Sequence, residues 1–385
     1  MIQFDEFGPE KILEVYDHKT GMHGFTVIDN TALGPAKGGI RMTPTVSIDE
    51  VAKLARTMTW KCAIAGLPFG GGKSGIVADS KKLTQDQKFA IMRAFGRALR
   101  PIAPKYYIAA PDMNTAEFEM REFVAGNGSW KSATGKPADL CEKPGIHCGI
   151  PHEYGSTGFG VFHSVLVALK YAKLGKDFTV AIEGFGNVGT FVAKYLSEHG
   201  AKIVAVSDSK GTIYNENGLD FKQLLDVKTK TGSVINYQPG KQLSNEDLFA
   251  IETDVLIPSA IPDVINDHNV GKIKAKLVVE AANIPMTAEV EKKLHVKGVL
   301  VVPDFVANAG GVISSYAEYK GKKPEEMFKL VEKKVTKNTK KVLQKAKKEK
   351  VYPRQAGMEI AVVLVKKAMA ERDAKEAGEK KAAPK

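Results

Sequence analysis

Two lysines twelve positions apart, Lys61 and Lys73, flank an apolar turn and three consecutive glycines in the stretch KCAIAGLPFGGGKSG, and Asp112 closes the apolar segment YYIAAPD. A lysine beside a glycine run first suggests a phosphate cradle. The P-loop pattern, however, requires glycine six residues before its lysine, and Leu67 stands there. Glycine also lets a backbone approach a ligand closely, so Gly70, Gly71 and Gly72 would hold Lys73 in the wall of a cleft. Val51, Leu54, Ala55, Met58 and Cys62 recur at helical spacing, and Lys61 follows Met58 by three residues. This sets its ammonium at the edge of a buried stripe near a helix C-terminus, where a cation wants an anionic partner. Two solvated lysines are the plain alternative, since lysine is mostly exposed. For Asp112, a strand-end carboxylate is either a site residue or a turn cap.

The elements that would position these residues follow from the local patterns. Residues 9–31 alternate apolar runs and turns and predict an antiparallel hairpin. The segment GPAKGGIR then places Lys37 and Arg41 in a glycine-rich strand end. Ser47 and Glu50 form a capping box that opens the helix carrying Lys61, and Thr84 with Gln87 opens a second helix bearing Phe89, Met92, Phe95 and Leu99. Between them the strand is expected to begin only after Gly75. Residues 131–155, with Pro137, Pro144 and Pro151, read as a loop marking a domain boundary. They contain Cys141, His147, Cys148 and His152, whose spacing is not that of a zinc finger or ribbon, and no metal is assigned. The three cysteines suggest no disulfide framework and suit a reducing compartment.

A second kind of chemistry starts at Phe178. The run FTVAIEGFGNVGTFVAKYLSEHGAKIVAVSDS is a strand, Gly184-x-Gly186-x-x-Gly189 with Asn187 and Val188 inside it, a helix, and a second strand ending at Asp208. In that context the glycines make a tight turn, admit a pyrophosphate to a helix N-terminus and let helix pack on strand. Asp208 would accept from the adenosine ribose and favour NAD, whereas Ser207, Ser209 and Lys210 could host a 2′-phosphate, so NAD or NADP is expected. Strands at 254–260, 277–283 and 298–302 continue a doubly wound parallel sheet. Asn283 and Asn308 lie in loops that would face the cofactor, as ordinary turn residues or as ligands of it. The tail from Pro324 is helical, with an apolar face of Ile360, Val363, Leu364 and Met369.

The bulk properties narrow the class. A chain of 385 residues predicts two domains, and 43% hydrophobic with 26% charged residues excludes a disordered chain. No apolar run of eighteen residues could span a membrane, and the N-terminus carries no signal pattern, so the expected location is the cytoplasm. The net charge of +12 owes much to the lysine-rich stretch after Lys320 and comes without a nucleic-acid-binding module, so no nucleic-acid partner is expected.

Taken in order, GPAKGGIR, MTWKCAIAGLPFGGGKSG, APDMNT, GFGNVG and DFVANAGGV resemble the glutamate/leucine/phenylalanine/valine dehydrogenase family over nearly the whole chain. The resemblance implies a two-domain α/β fold: a substrate domain over 1–155, a Rossmann NAD(P)-binding domain over 156–325, a cleft between, and helices 326–385 packing back on the first domain. It implies reversible oxidative deamination of an amino acid to a 2-oxo acid and ammonium. Lys73 matches the catalytic lysine, Asp112 the acid that handles amine protons, and Lys61 the ligand of the α-carboxylate, with Met58 beside it in the substrate site. Lys73 would need its pKa lowered by some three units, roughly 4 kcal/mol, to act near neutrality, and Asp112 would serve chiefly as a proton carrier. Lys37 and Ser315 match the pair that contacts a glutamate side chain; branched-chain enzymes of the family have apolar residues there, and a leucine or valine substrate is the alternative. A non-catalytic NAD(P)-binding regulator is the alternative of another class. Thr157 matches a residue near the nicotinamide, and Asn308 belongs to a segment that closes over the cofactor. By the resemblance, members are usually hexamers or octamers, with dimers the third option; a homo-oligomer is expected here, with a hexamer favoured.

Overall fold

The computed structural model describes residues 2–382, which form two compact units. The first takes the chain up to Tyr154, then 312–330, and again from Glu359 onward; the second takes 155–311 and 331–358.

In the first unit the predicted hairpin forms from β1 (Lys11–Asp17) and β2 (Met22–Asn30), antiparallel with Lys11 opposite Ile28. Strand β3 (Ala36–Thr43), helix α1 (Ile48–Ile64), strand β4 (Gly70–Val77), helix α2 (Gln85–Ala98), strand β5 (Tyr107–Pro111) and helix α3 (Glu117–Asn127) follow. The five strands lie in the order β1-β2-β4-β3-β5, with β3 parallel to both β4 and β5. Strand periodicity gives the sheet two faces. Ile40, Met42 and Ile76 pack with Met92 and Phe95 of α2 and Met120 and Phe123 of α3. Val27 packs on the other face with Val51 and Ala55 of α1. The helix caps divide: Thr84 and Gln87 make the full reciprocal box, whereas at α1 only Ser47 caps, accepting from Glu50 N, and the Glu50 carboxylate is drawn to Arg41.

The boundary loop is more structured than its prolines suggest. Strands β6 (Cys141–Lys143) and β7 (Ile146–Cys148) form a small hairpin, and Cys141 and Cys148 are joined by a disulfide, contrary to the expectation of free thiols. A two-residue turn brings their Cα atoms to 3.9 Å, which is what lets a pair seven residues apart bond. His147 pairs instead with Glu142, and among the described residues no cluster could hold a metal ion.

The second unit opens with α4 (Ser156–Tyr171), β8 (Thr179–Glu183), α5 (Asn187–Glu198), β9 (Lys202–Asp208), β10 (Gly211–Tyr214), α6 (Phe221–Thr231) and β11 (Lys241–Leu243). It continues with β12 (Val255–Pro258), β13 (Leu277–Val279), α7 (Ala288–Val296), β14 (Leu300–Val302) and α8 (Asp304–Ala307). Five strands, β9-β8-β12-β13-β14, are parallel, and β10 and β11 extend the β9 edge antiparallel, so the sheet is mixed rather than wholly parallel. The chain leaves β8 in opposite directions to reach β9 and β12, which makes the loop after β8 a topological switch point.

Three last helices, α9 (Gly310–Tyr319), α10 (Pro324–Glu349) and α11 (Pro353–Ala382), are shared between the units instead of belonging to the first alone. Residues 331–358 join the second because α10 buries Val331, Val335, Val342 and Leu343, and Thr339 Oγ1 lies 3.1 Å from Ser164 Oγ on α4. The later part of α11 packs Ala361 and Val365, with Leu364 and Met369, against Ala63 and Trp60 of α1; Val363 is exposed and lies outside the apolar face assigned to it. Residues 383–385 of the expected tail lie outside the described residues. No helix among those described is long and apolar enough to cross a membrane.

Candidate active site

The glycine run is not a loop. Gly70 to Gly72 form the start of β4, and their small size serves close packing. A Cβ on Gly71 would sit 2.1 Å from Thr59 Oγ1 of α1, and one on Gly70 would sit 1.8 Å from the Asn30 carbonyl oxygen. A Cβ on Gly39 of β3 would fall 2.7 Å from the Asp112 Cβ. Side chains alternate along a strand, so Lys37, Gly39 and Arg41 of β3 share the α1-facing side with Gly71, Lys73 and Gly75 of β4. Small residues on this side leave room for the lysines.

Lys73 Nζ lies 2.9 Å from Asp112 Oδ1, and Arg41 Nε donates to Asp112 Oδ2 at 2.9 Å. Arg41 Nη1 in turn donates to Glu50 Oε1 at 2.6 Å. Burial alone would raise the Asp112 carboxyl, but the Lys73 and Arg41 charges and their hydrogen bonds hold it down at about 2. Asp112 is therefore an ionised acceptor held between Lys73 and Arg41 at neutral pH. Its backbone is pinned as well: Asp112 N donates to Thr115 Oγ1, and Thr115 Oγ1 donates to the Ile40 carbonyl.

Lys61 occupies the last turn of α1, buried as the helix register predicts, and Met58 is half-buried one turn earlier. Lys37 is almost wholly enclosed, 1% exposed, and its Nζ donates to the carbonyls of Ala109 at 2.6 Å and Ile108 at 3.3 Å. Burial lowers its pKa to about 7; the Glu318 and Cys62 charges oppose this and the Lys136 and Lys73 charges add to it. Ser315 is half-buried on α9, one turn before Glu318 and so on the same helix face. Glu318 is fully buried: Oε1 lies 2.5 Å from Lys136 Nζ, and Oε2 accepts from Gly135 N at 2.7 Å and Ile150 N at 2.9 Å. Lys136 also stands 3.7 Å over the Trp130 ring. In the first unit Lys37, Met58, Lys61, Lys73, Asp112 and Ser315 are thus carried on β3, α1, β4, the end of β5 and α9.

The fingerprint sits at the switch point of the second unit. Gly184 adopts φ 95°, a conformation suited to glycine, and a Cβ on Gly189 would lie 1.9 Å from the Gly184 carbonyl oxygen, so helix and strand touch there. Gly186 caps α5 in an extended conformation with open space around it, and both Gly186 and Asn187 are exposed, with Val188 half-buried. An open first helical turn, whose amides lack intrahelical acceptors, fits the pyrophosphate of a dinucleotide. Asn308 Nδ2 donates to the carbonyls of Ala281 and Ala282 and, at 3.1 Å, to Asn283 Oδ1, which brings together two residues that sequence alone placed in separate loops. Thr157 is buried on the first turn of α4, against Gly310. Asp208 is buried at the end of β9, and Ser207 Oγ accepts from Gly184 N at 3.0 Å, which ties Ser207 to the fingerprint loop.

Arg41, Glu318 and Lys136 escaped the sequence reading as site residues. For Arg41 a signal existed, since it follows Lys37 by four in a strand and must share its face. Glu318 and Lys136 gave none, because 182 residues separate them.

Comparison with known proteins finds relatives over most of the chain. Residues 148–373 match the family model described as Glutamate/Leucine/Phenylalanine/Valine dehydrogenase, and residues 9–126 match that of the Glu/Leu/Phe/Val dehydrogenase, dimerisation domain. The chain is 42% identical over 358 residues to a glutamate dehydrogenase of Aeropyrum pernix, covering 88% of this chain and 84% of that one. It is 40% identical to an NADP-specific glutamate dehydrogenase of Saccharolobus shibatae, covering 84% and 80%. Among solved structures, a hetero-hexameric glutamate dehydrogenase from Thermus thermophilus in a leucine-bound form superposes with a TM-score of 0.84 at 28% identity, over 94% of this chain and 90% of that one.

Proposed function

The chain belongs to the glutamate/leucine/phenylalanine/valine dehydrogenase family, and we propose that its reaction is the reversible oxidative deamination of L-glutamate to 2-oxoglutarate and ammonium. It is an amino-acid dehydrogenase that uses NAD or NADP. The observation that carries the choice of glutamate is Lys37, a cation buried to 1% exposure on the face that also bears Lys73. An apolar side chain gives no reason to bury an ammonium, whereas a substrate carboxylate does.

In this reading Lys61 pairs with the substrate α-carboxylate, Lys37 and Ser315 receive the side-chain carboxylate, and Met58 lies along the aliphatic stem. Ionised Asp112 accepts a hydrogen bond from the α-amino group and fixes the Cα–H direction. Gly184, Gly186, Asn187, Val188 and Gly189 would hold the coenzyme pyrophosphate, and Asn283, Asn308 and Thr157 its nicotinamide half; the group would supply a hydride acceptor. Lys73, its ammonium proton first lost to solvent, then takes a proton from the water that adds to the imine and returns it to the departing amine. Three cations around one substrate suit a dicarboxylic amino acid, and Asp112 keeps Lys73 and Arg41 from repelling each other.

The dimerisation-domain match and the hetero-hexameric neighbour support an oligomer, which we take to be a homo-hexamer. We place it in the cytoplasm; the Cys141–Cys148 bridge is the feature least usual there.

Initial rates of coenzyme reduction with L-glutamate, L-leucine and L-valine test the substrate. The expected kcat/KM for glutamate exceeds that for leucine by about two orders of magnitude, the worth of one buried charge-assisted contact. A preference for leucine or valine would refute the glutamate reading and make the protein a branched-chain enzyme.

A further inference from the structure

We propose that Glu318 is a positioning residue for substrate choice: with Lys136 it ties the helix that carries Ser315 to the backbone that seats the Lys37 ammonium, and so sets the span a side-chain carboxylate must fit. This deepens the glutamate reading and rests on it. Lys37 and Ser315 come from β3 and α9, yet a carboxylate held by both needs them at one separation. On the Lys37 side, the Ala109 carbonyl of β5 accepts from Lys37 Nζ at 2.6 Å and also from Thr134 N at 3.0 Å. An isolated parallel bridge joins Ala133 to Ala109, which lays this segment along β5. The next two residues reach α9: Gly135 N donates to Glu318 Oε2 at 2.7 Å, and Lys136 Nζ lies 2.5 Å from Oε1. Ser315 stands one turn before Glu318 on the same face. The path from Lys37 to the Ser315 helix therefore runs through one carbonyl, the backbone of Thr134 and Gly135, and one carboxylate.

Stability alone gives little reason for this pair. Both side chains are fully enclosed, and a buried ion pair gains little over apolar residues of the same volume; what it supplies is one fixed arrangement. The loop it docks is stiff. Ile150 N donates to the same Glu318 Oε2 at 2.9 Å, so residues 135 and 150 meet on one oxygen and the segment between them closes on itself. Inside it the Leu140 carbonyl accepts from Gly149 N at 3.0 Å and Trp130 Nε1 at 3.3 Å, and the disulfide joins Cys141 to Cys148. Just past the end of α9 the contact is also tight, since a Cβ on Gly321 would fall 2.0 Å from His147 Cδ2. The charges balance at Lys37: the Glu318 carboxylate favours its ammonium and the Lys136 ammonium disfavours it, so removing both together leaves that cation nearly as it was.

Initial rates of the full-length protein with L-glutamate and with L-norvaline, which has the same carbon chain without the side-chain carboxylate, test the proposal. Glu318→Gln sets an amide N–H against the buried Lys136 ammonium, and the glutamate-to-norvaline ratio of kcat/KM is expected to fall about tenfold, mostly through KM. Lys136→Met combined with Glu318→Gln removes both charges, keeps an oxygen to accept from Gly135 N and Ile150 N, and is expected to bring the ratio back to within about threefold of the parent. Ser315→Ala is expected to lower the ratio about tenfold in the parent but less than about twofold in Glu318→Gln, where the serine is already displaced. If Glu318→Gln does not fold, Lys136→Met with Glu318→Met, uncharged but without the acceptor, takes its place, and the same fall is expected. A parental ratio in either perturbed variant, additive losses with Ser315→Ala, or a ratio still about tenfold down in a normally melting Lys136→Met/Glu318→Gln protein would each overturn the role of Glu318. A parent that handles glutamate and norvaline alike would instead sink the glutamate reading, and this role with it.

Discussion

Lys73→Ala is expected to lower glutamate turnover by about 10³-fold or more while NADPH and NADH still bind, as measured by steady-state rates in both directions and by fluorescence titration of the coenzyme. General acid–base catalysis contributes roughly 10²–10⁴-fold, and a buried cation that also meets a developing oxyanion adds to that. The geometry makes the loss specific. Lys73 is 6% exposed on a strand whose neighbours on that face are glycines, so truncation leaves a hole that no adjacent side chain fills. Asp112 keeps Arg41 as a partner at 2.9 Å, so the variant retains a paired carboxylate and its fold. Turnover within tenfold of the parent would remove Lys73 from the mechanism.

Lys37→Met is expected to do two opposite things. It should lower kcat/KM for glutamate by about 10²-fold, with a far smaller effect on leucine, because the substrate carboxylate loses its partner. It should also stabilise the protein. A lysine held at about 7 instead of 10.5 disfavours its charged form by roughly 5 kcal/mol, and the unfolded chain has no such cost. The sign follows from proton counting: between pH 7 and 10.5 the unfolded state binds the extra proton, so the parent gains stability as pH rises through that window and carries the full cost below about 7. Urea melts of parent and variant should therefore differ most near pH 7 and converge towards pH 10. Loss of the two carbonyl bonds offsets part of the gain, so a net increase of about 1–3 kcal/mol is expected at pH 7. A variant less stable at pH 7 than at pH 10 relative to the parent would contradict the assignment.

Much of this site was legible from the sequence because its residues lie in short patterns. Helical spacing located Lys61, the strand–glycine–helix order located the fingerprint, and family motifs named Lys73 and Asp112. What stayed hidden depends on register and on distant partners. Three glycines read as a loop because a strand without side chains has no alternation to see, and only the packing of α1 explains them. Arg41 meets Asp112 because β3 and β5 pair with Ile40 beside Pro111, a pairing across 71 residues. The hydrogen-bond donors to Asp208 come from residues two, twenty, twenty-five and twenty-six positions later, a gathering no local pattern shows. The disulfide was missed for a different reason: cysteine count argues about compartments, whereas a two-residue hairpin turn sets the distance between Cys141 and Cys148.

The most direct test of the account is transfer of deuterium from L-[2-²H]glutamate, followed by mass analysis of the reduced coenzyme. A dehydrogenase that removes the α-hydride must deliver one deuteron per 2-oxoglutarate and ammonium formed, and the label is expected quantitatively in the reduced nicotinamide ring. Label released to water, or 2-oxoglutarate formed without coenzyme reduction, would contradict it.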